Sequence, residues 1–219
     1  MFRTIATIAF AIRLGHPDVS EEDAQRYAVA LQAEAERNDF DPLMGVAIIH
    51  RESRFTPRVI SKDGEDFGLA QVRARYVGAC RQDDNPRWRP SAACQAVKER
   101  LLEPEENIAA MGKIIAGHRR LCKQKVGNAS LLGWLASYQG SNSKKEGRWC
   151  EPSAGARRVV RYRDRLARAI AKAKVEIEAA DRAIAQQAEE RARVAAAREA
   201  ATPAEPPPVQ TPAPDPRGS

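Results

Sequence analysis

The sequence predicts a mostly α-helical domain over residues 20–165, then a long charged helix (166–201) and a proline-rich tail (202–219). Three observations predict it. Aromatic residues make up only 5% of the chain and charged residues 30%, a balance that suits helices built from Ala, Arg and Glu better than a β-sandwich. Hydrophobic residues reach 43%, enough for a real core in a chain of 219 residues. Apolar side chains also recur at spacings of three and four behind recognisable helix starts.

Residues 1–19 begin Met1-Phe2-Arg3 and continue into an apolar run at 5–12, which resembles a short signal segment with a basic start. Arg13 interrupts the run, and no small-residue cleavage site precedes His16-Pro17-Asp18. A first domain helix is therefore preferred to a cleaved signal, which leaves the export route open. The run is too short to span a bilayer, so no transmembrane segment is expected.

Ser20-Glu21-Glu22-Asp23 supplies a capping hydroxyl and three carboxylates where the helix dipole is positive. Ala24, Tyr27, Ala28, Leu31 and Ala35 then form one apolar stripe, which Asn38-Asp39-Phe40 ends. Asp41-Pro42 starts the next helix, with a capping carboxylate before proline at the first helical position. Residues 43–51 are apolar nearly all round, as expected of a helix at the centre of a domain. The stretches 55–76 and 81–91, rich in Pro, Gly and Asp, read as loop. Short β-ribbon pieces near 68–71 are compatible with the pattern, but no sheet is expected. Further helices are predicted at 92–102, 105–120 and 129–137.

Beyond 154 the composition shifts. Leu166, Ile170, Ala173, Ile177, Ala180 and Ile184 alternate spacings of four and three, a short heptad stripe that could support self-association or partner binding through 166–201. The tail from Thr202 has too much proline to form a core and reads as a disordered tether.

The net charge of +7 would suit nucleic acid, anionic lipid or an acidic cell wall. Basic and acidic residues interleave along the helices without a dense stripe of stacking aromatics, so nucleic-acid binding is not expected. Cys80, Cys94, Cys122 and Cys150 form an even set. No C-x-x-C pair occurs and the chain has three histidines, so neither a metal nor any other cofactor is expected. Two disulfides, implying an oxidising compartment, are preferred to four buried thiols. Of three connectivities, Cys80–Cys94 and Cys122–Cys150 close the shorter loops and are the expected pairs.

The segment Ile48-Ile49-His50-Arg51-Glu52 ends an apolar helix on a carboxylate. Apolar surroundings raise a carboxyl pKa and keep a proton available for donation to a glycosidic oxygen. A glutamate at a helix end is more often solvated or paired, here with Arg51 or Arg54, so the segment alone does not carry a function.

Its companions change that. Glu52-Ser53-x-Phe55, Ser61, Gly64, Gly68-Leu69-Ala70-Gln71 and Ser137-Tyr138-Gln139-Gly140 follow in order, with Asn38-Asp39-Phe40-Asp41-Pro42 upstream and Glu106-Asn107-Ile108 between. Over residues 20–165 this series resembles the soluble lytic transglycosylase family, which is related to goose-type lysozymes. The resemblance implies a compact lysozyme-like helical domain that cleaves peptidoglycan glycan strands in the periplasm or the extracellular cell wall. It implies Glu52 as catalytic acid and Ser61 as a cleft residue near it. Gly68, Leu69 and Gln71 would be a segment whose backbone approaches the glycan and whose glutamine bonds a sugar. Tyr138 would hydrogen-bond the catalytic carboxyl.

The chain departs from the family pattern in three places. The segment 64–68 is one residue longer than the common form, Ala70 replaces a methionine, and Gln139 replaces an asparagine.

The implied reaction uses Glu52 as acid and then base, cleaving the β-1,4 bond between N-acetylmuramic acid and N-acetylglucosamine with a 1,6-anhydromuramoyl end. Asp66 and Asp63, with Glu65 between them, keep a water-using hydrolase as the alternative. A non-catalytic wall-binding or assembly protein is the reading from another class.

Overall fold

The structure, a computed structural model, describes residues 4–143 and 146–201. The proline-rich segment 202–219 lies outside the described residues. Among the described residues, eight α-helices carry the structure: α1 (Ile5–Gly15), α2 (Glu21–Asn38), α3 (Pro42–Glu52), α4 (Ala92–Arg100), α5 (Pro104–Val126), α6 (Leu131–Tyr138), α7 (Ala154–Lys172) and α8 (Lys174–Ala201). A mostly α fold is what the composition predicted.

Local chemistry sets the helix starts. Ser20 Oγ accepts the Asp23 N–H at 3.1 Å, and Asp41 Oδ1 accepts the Leu43 N–H at 3.0 Å ahead of Pro42. Ser91, Ser130 and Ser153 cap α4, α6 and α7 in the same way. Each such cap contributes on the order of 1 kcal/mol. α2 stops where Asp39 turns left-handed (φ 51°), and α5 stops at Gly127 (φ 75°).

α3 is the centre of the domain. All its residues from Pro42 through Ile49 are buried, and α1, α2 and α7 pack around it. Burying each of Leu43, Val46, Ile48 and Ile49 contributes about 1.5–3 kcal/mol. At Gly45 a Cβ would stand 2.6 Å from Leu31 Cδ2, so the missing side chain is what lets α2 lie close on α3. α5 packs between α2 and α6. The N-terminal run is part of this core, with Ile8, Ala11 and Ile12 fully buried on α1.

The expected single helix over 166–201 is two. α7 ends at Lys172 and α8 begins at Lys174. Leu166 and Ile170 face inward with Val159 and Tyr162 and are only 3% exposed, so the first part of the heptad stripe is occupied within its own domain. The side chains of Ile177 and Ala180 lie outside the described ones. The chain divides into a unit ending at Asp181 and another beginning at Arg182. The described part of the latter is the rest of α8, whose described side chains are nearly all exposed.

A small antiparallel ribbon interrupts the helices. β1 (Asp66–Phe67) pairs with β2 (Val72–Arg73) in the register Asp66↔Arg73 and Phe67↔Val72. The sequence suggested ribbon pieces at 68–71; those four residues are instead the turn between the strands. The cysteines form Cys80–Cys94 and Cys122–Cys150, the expected pairs. Among the described residues no helix is long and apolar enough to cross a membrane.

Candidate active site

Glu52 is the last residue of α3, so the buried core helix delivers its carboxyl to the edge of a cleft of about 660 Å³. Burial is the largest influence and pushes the carboxyl above its ordinary range. A hydrogen bond from Gln139 and the nearby Arg51 charge oppose that, while Asp66 adds to it. The chain leaves α3 through two consecutive left-handed residues, Arg54 (φ 53°) and Phe55 (φ 59°). That conformation costs on the order of 1–2 kcal/mol per residue. Phe55 offsets the strain by burying its ring against His16, at 5.1 Å between centroids, and Tyr27, at 6.3 Å. The E-S-x-F pattern thus fixes how the acid is presented.

The ribbon forms part of the cleft wall through Asp66, Gln71, Val72 and Arg73. Its turn is clamped by Asn107, which is fully buried on α5. Asn107 Oδ1 accepts the Ala70 N–H at 2.8 Å, and its Nδ2 donates to the carbonyls of Phe67 and Leu101, both at 2.7 Å. Gly68 sits at φ 67° directly against this clamp, where a Cβ would meet Leu101 O at 2.3 Å and Asn107 Nδ2 at 2.5 Å. Glycine is required there by packing and by backbone conformation together. Leu69 is fully buried, and neither it nor Gly68 is among the residues lining the cleft, contrary to the sequence expectation. Gln71 (φ 46°) donates through Nε2 to the carbonyls of Val59, at 3.2 Å, and Gly68, at 3.0 Å. Both amide hydrogens are engaged, which leaves Oε1 as its polar group for the cleft.

Further positions differ from the sequence expectation. Tyr138 reaches the cleft wall, but its hydroxyl donates to the Ala70 carbonyl at 3.0 Å rather than to Glu52. The acid's partner is the next residue, with Gln139 Nε2 3.5 Å from Glu52 Oε1. Ser61 is absent from the residues lining the cleft. Its Oγ accepts the N–H groups of Asp66, at 2.9 Å, and Glu65, at 3.3 Å, and donates to Asp63 at 2.5 Å, which shapes the acidic loop. Asp63 is exposed on that loop and bonded to Arg73 at 3.2 Å. Asp66 does line the cleft, yet Arg73 holds it through Nε at 3.0 Å and Nη2 at 3.3 Å.

The family model described as the transglycosylase SLT domain matches residues 30–149, more than half of the chain. The chain belongs to the SLT domain family. No curated protein and no solved structure matches it. The SLT domain is of the lytic transglycosylase type, which acts on peptidoglycan. The matched segment contains α3, the ribbon and α6, and so every element that meets at the cleft.

Within this SLT domain four side chains serve the cleft without being evident as site residues in the sequence. Gln139 stands out in the sequence only as a departure from the family asparagine, although its position beside Tyr138 is a usable signal. Asn107 lay in a motif whose clamp role depends on contacts with residues 37 and 40 positions away. Arg73 and His118 also line the cleft and carried no local signal. Among the described residues no group of three or more potential metal ligands clusters together.

Proposed function

We propose that this SLT domain is a peptidoglycan lytic transglycosylase in which Glu52 acts first as acid and then as base. Glu52 gives its proton to the glycosidic oxygen between N-acetylmuramic acid and N-acetylglucosamine as the bond from that oxygen to the muramoyl C1 breaks. The C6 hydroxyl oxygen of the same sugar then bonds to C1, and its proton passes to the Glu52 carboxylate. A 1,6-anhydro ring results, no water is consumed, and the acid is regenerated.

The observation that carries this reading is the state of the other carboxylate in the cleft. Activating water for hydrolysis would require a free base. Asp66 is bound twice by Arg73, so its carboxyl oxygens are already engaged. Glu52, by contrast, is set up to hold a proton by burial. The Gln71 Oε1 is the proposed sugar contact of the ribbon turn, which Gly68 and Leu69 hold in place from beneath. Gln139 orients the acid, Ser61 supports the loop behind Asp66, and Tyr138 ties α6 to the ribbon turn. The two disulfides support a site of action outside the reducing cytoplasm, in the periplasm or the external wall.

Mass spectrometry of purified peptidoglycan after digestion tests the proposal. Anhydromuramoyl ends are expected from the parent protein and none above background from Glu52→Gln. New reducing ends in their place would make the enzyme a hydrolase.

A further inference from the structure

His118 lies on α5 in the cleft wall, and a short chain of bonds fixes its ring. Its Nδ1 is 2.7 Å from Ser137 Oγ. That oxygen also accepts from Asn142 Nδ2 at 2.6 Å, and Asn142 Oδ1 accepts the Cys150 N–H at 2.9 Å. Cys150 is in turn disulfide-bonded to Cys122, about one turn beyond His118 on the same helix. The network therefore closes on the helix from which it starts.

The bonding suits the Nε2–H tautomer. A serine hydroxyl has a single hydrogen. With Ser137 Oγ accepting from Asn142, that hydrogen is free to go to His118 Nδ1, which places the ring's own proton on Nε2. Burial favours the neutral ring. Nε2 has no protein partner among the described residues, and it is not one of the buried polar atoms left without one. It is therefore open to the cleft. An uncharged donor held in one tautomer by a buried network suits the uncharged oxygens of a sugar.

We propose that His118 is a substrate-positioning residue, its Nε2–H donating to an uncharged acceptor oxygen of a sugar bound in the cleft. The proposal rests on the reading of this cleft as the glycan site. It assigns the Ser137–Asn142–Cys150 chain the task of holding a donor ready, beyond merely bracing the loop that follows α6.

The test uses the full chain with both disulfides intact and purified peptidoglycan sacculi as substrate. Clearing rates are measured over a range of sacculus concentrations for the parent, H118A, H118F and H118Q. Co-sedimentation with sacculi is measured for the same histidine changes in the Glu52→Gln background. H118A and H118F are expected to raise the half-saturating concentration roughly tenfold, with the maximal rate changed by less than about threefold. H118Q places an amide N–H at similar reach and should recover most of the loss, in clearing and in sedimentation alike. If H118A does not fold, H118F against H118Q makes the same comparison.

An unchanged half-saturating concentration in H118F overturns the proposal. So does a loss of maximal rate alone, or an H118Q as poor as H118F, either of which would mean a structural role. If the parent clears sacculi while the histidine variants match it, only this inference fails. If the parent neither clears nor sediments with sacculi, the peptidoglycan reading of the cleft fails as well.

Discussion

Gln139 Nε2 lies 3.5 Å from Glu52 Oε1, while the hydroxyl of the preceding Tyr138 is turned to the Ala70 carbonyl at 3.0 Å. The pair has a chemical consequence. An amide can donate to a carboxylate through nitrogen and accept from a carboxylic acid through oxygen. Gln139 Oε1 is buried without a partner, so turning the amide over would let it follow Glu52 through both protonation states. Gln139→Ala should lower kcat roughly 10- to 100-fold and change KM much less, because the lost contact orients the acid. Gln139→Asn should recover little, since its amide is one methylene short of the acid. Steady-state clearing assays on sacculi read both numbers. An unaltered kcat in Gln139→Ala would remove Gln139 from the mechanism.

The raised Glu52 pKa gives two pH signatures of known sign. Catalysis begins with the protonated acid, so kcat/KM should fall as pH rises through the folded-state pKa. That basic limb should lie above the ordinary carboxyl value of 4.5, because burial is the largest cause of the shift. Stability follows the same sign. Below the unfolded-state pKa both states are protonated and Glu52 exacts no penalty. As pH rises the unfolded chain ionises first, and folding loses stability until the folded pKa is passed. Glu52→Gln cannot ionise. Its melting temperature should match the parent's in acid and exceed it near neutrality, as calorimetry across that range would show. An equal offset at every pH would mean that the carboxyl is not desolvated.

Much of this fold was legible because its signals are local. Ser20 and Asp41-Pro42 announce α2 and α3 within one turn, and the all-round apolar character of α3 marks it as central. The cysteine pairs could be anticipated from loop length. What stayed hidden depends on contacts distant in sequence. Ser61 and Asp63 read as cleft residues, but the loop folds so that they bond each other and the ribbon's Arg73. Which of Tyr138 and Gln139 meets Glu52 is settled by where α6 ends and by the ribbon turn beneath it, not by either residue's type. The interruption at Ala173 has neither Gly nor Pro to mark it.

Asn107 and Gly68 should be the most sensitive positions outside the acid. Asn107→Ala would leave the Ala70 N–H and the Phe67 and Leu101 carbonyls without the partner they now share. At about 1–3 kcal/mol for each unsatisfied buried group, less where water enters, a loss of roughly 3 kcal/mol or more is expected. Gly68→Ala forces a Cβ to 2.3 Å from a backbone oxygen at a positive φ, and a loss of similar size is expected. Chemical denaturation of both variants measures this. Retention of full stability in either would mean that the ribbon turn relaxes without its clamp.

The two disulfides should separate stability from activity. Cys80–Cys94 joins residues 14 apart and Cys122–Cys150 residues 28 apart. On loop length alone each should stabilise by about 3–4 kcal/mol, with the longer loop gaining slightly more. Their positions differ in kind. The segment that Cys150 anchors runs back through Trp149 and Asn142 to Gln139, all in the cleft wall. Replacing Cys122 and Cys150 by alanine should therefore reduce clearing activity at temperatures where the protein remains folded, because Gln139 and the His118 network lose their anchor. Replacing Cys80 and Cys94 should lower the melting temperature by a comparable amount and leave activity per folded molecule near that of the parent, since neither lines the cleft. Parallel melting curves and clearing rates at about 25 °C test the contrast. Equal activity losses from the two double variants would show that the loop after α6 holds its geometry without the covalent link.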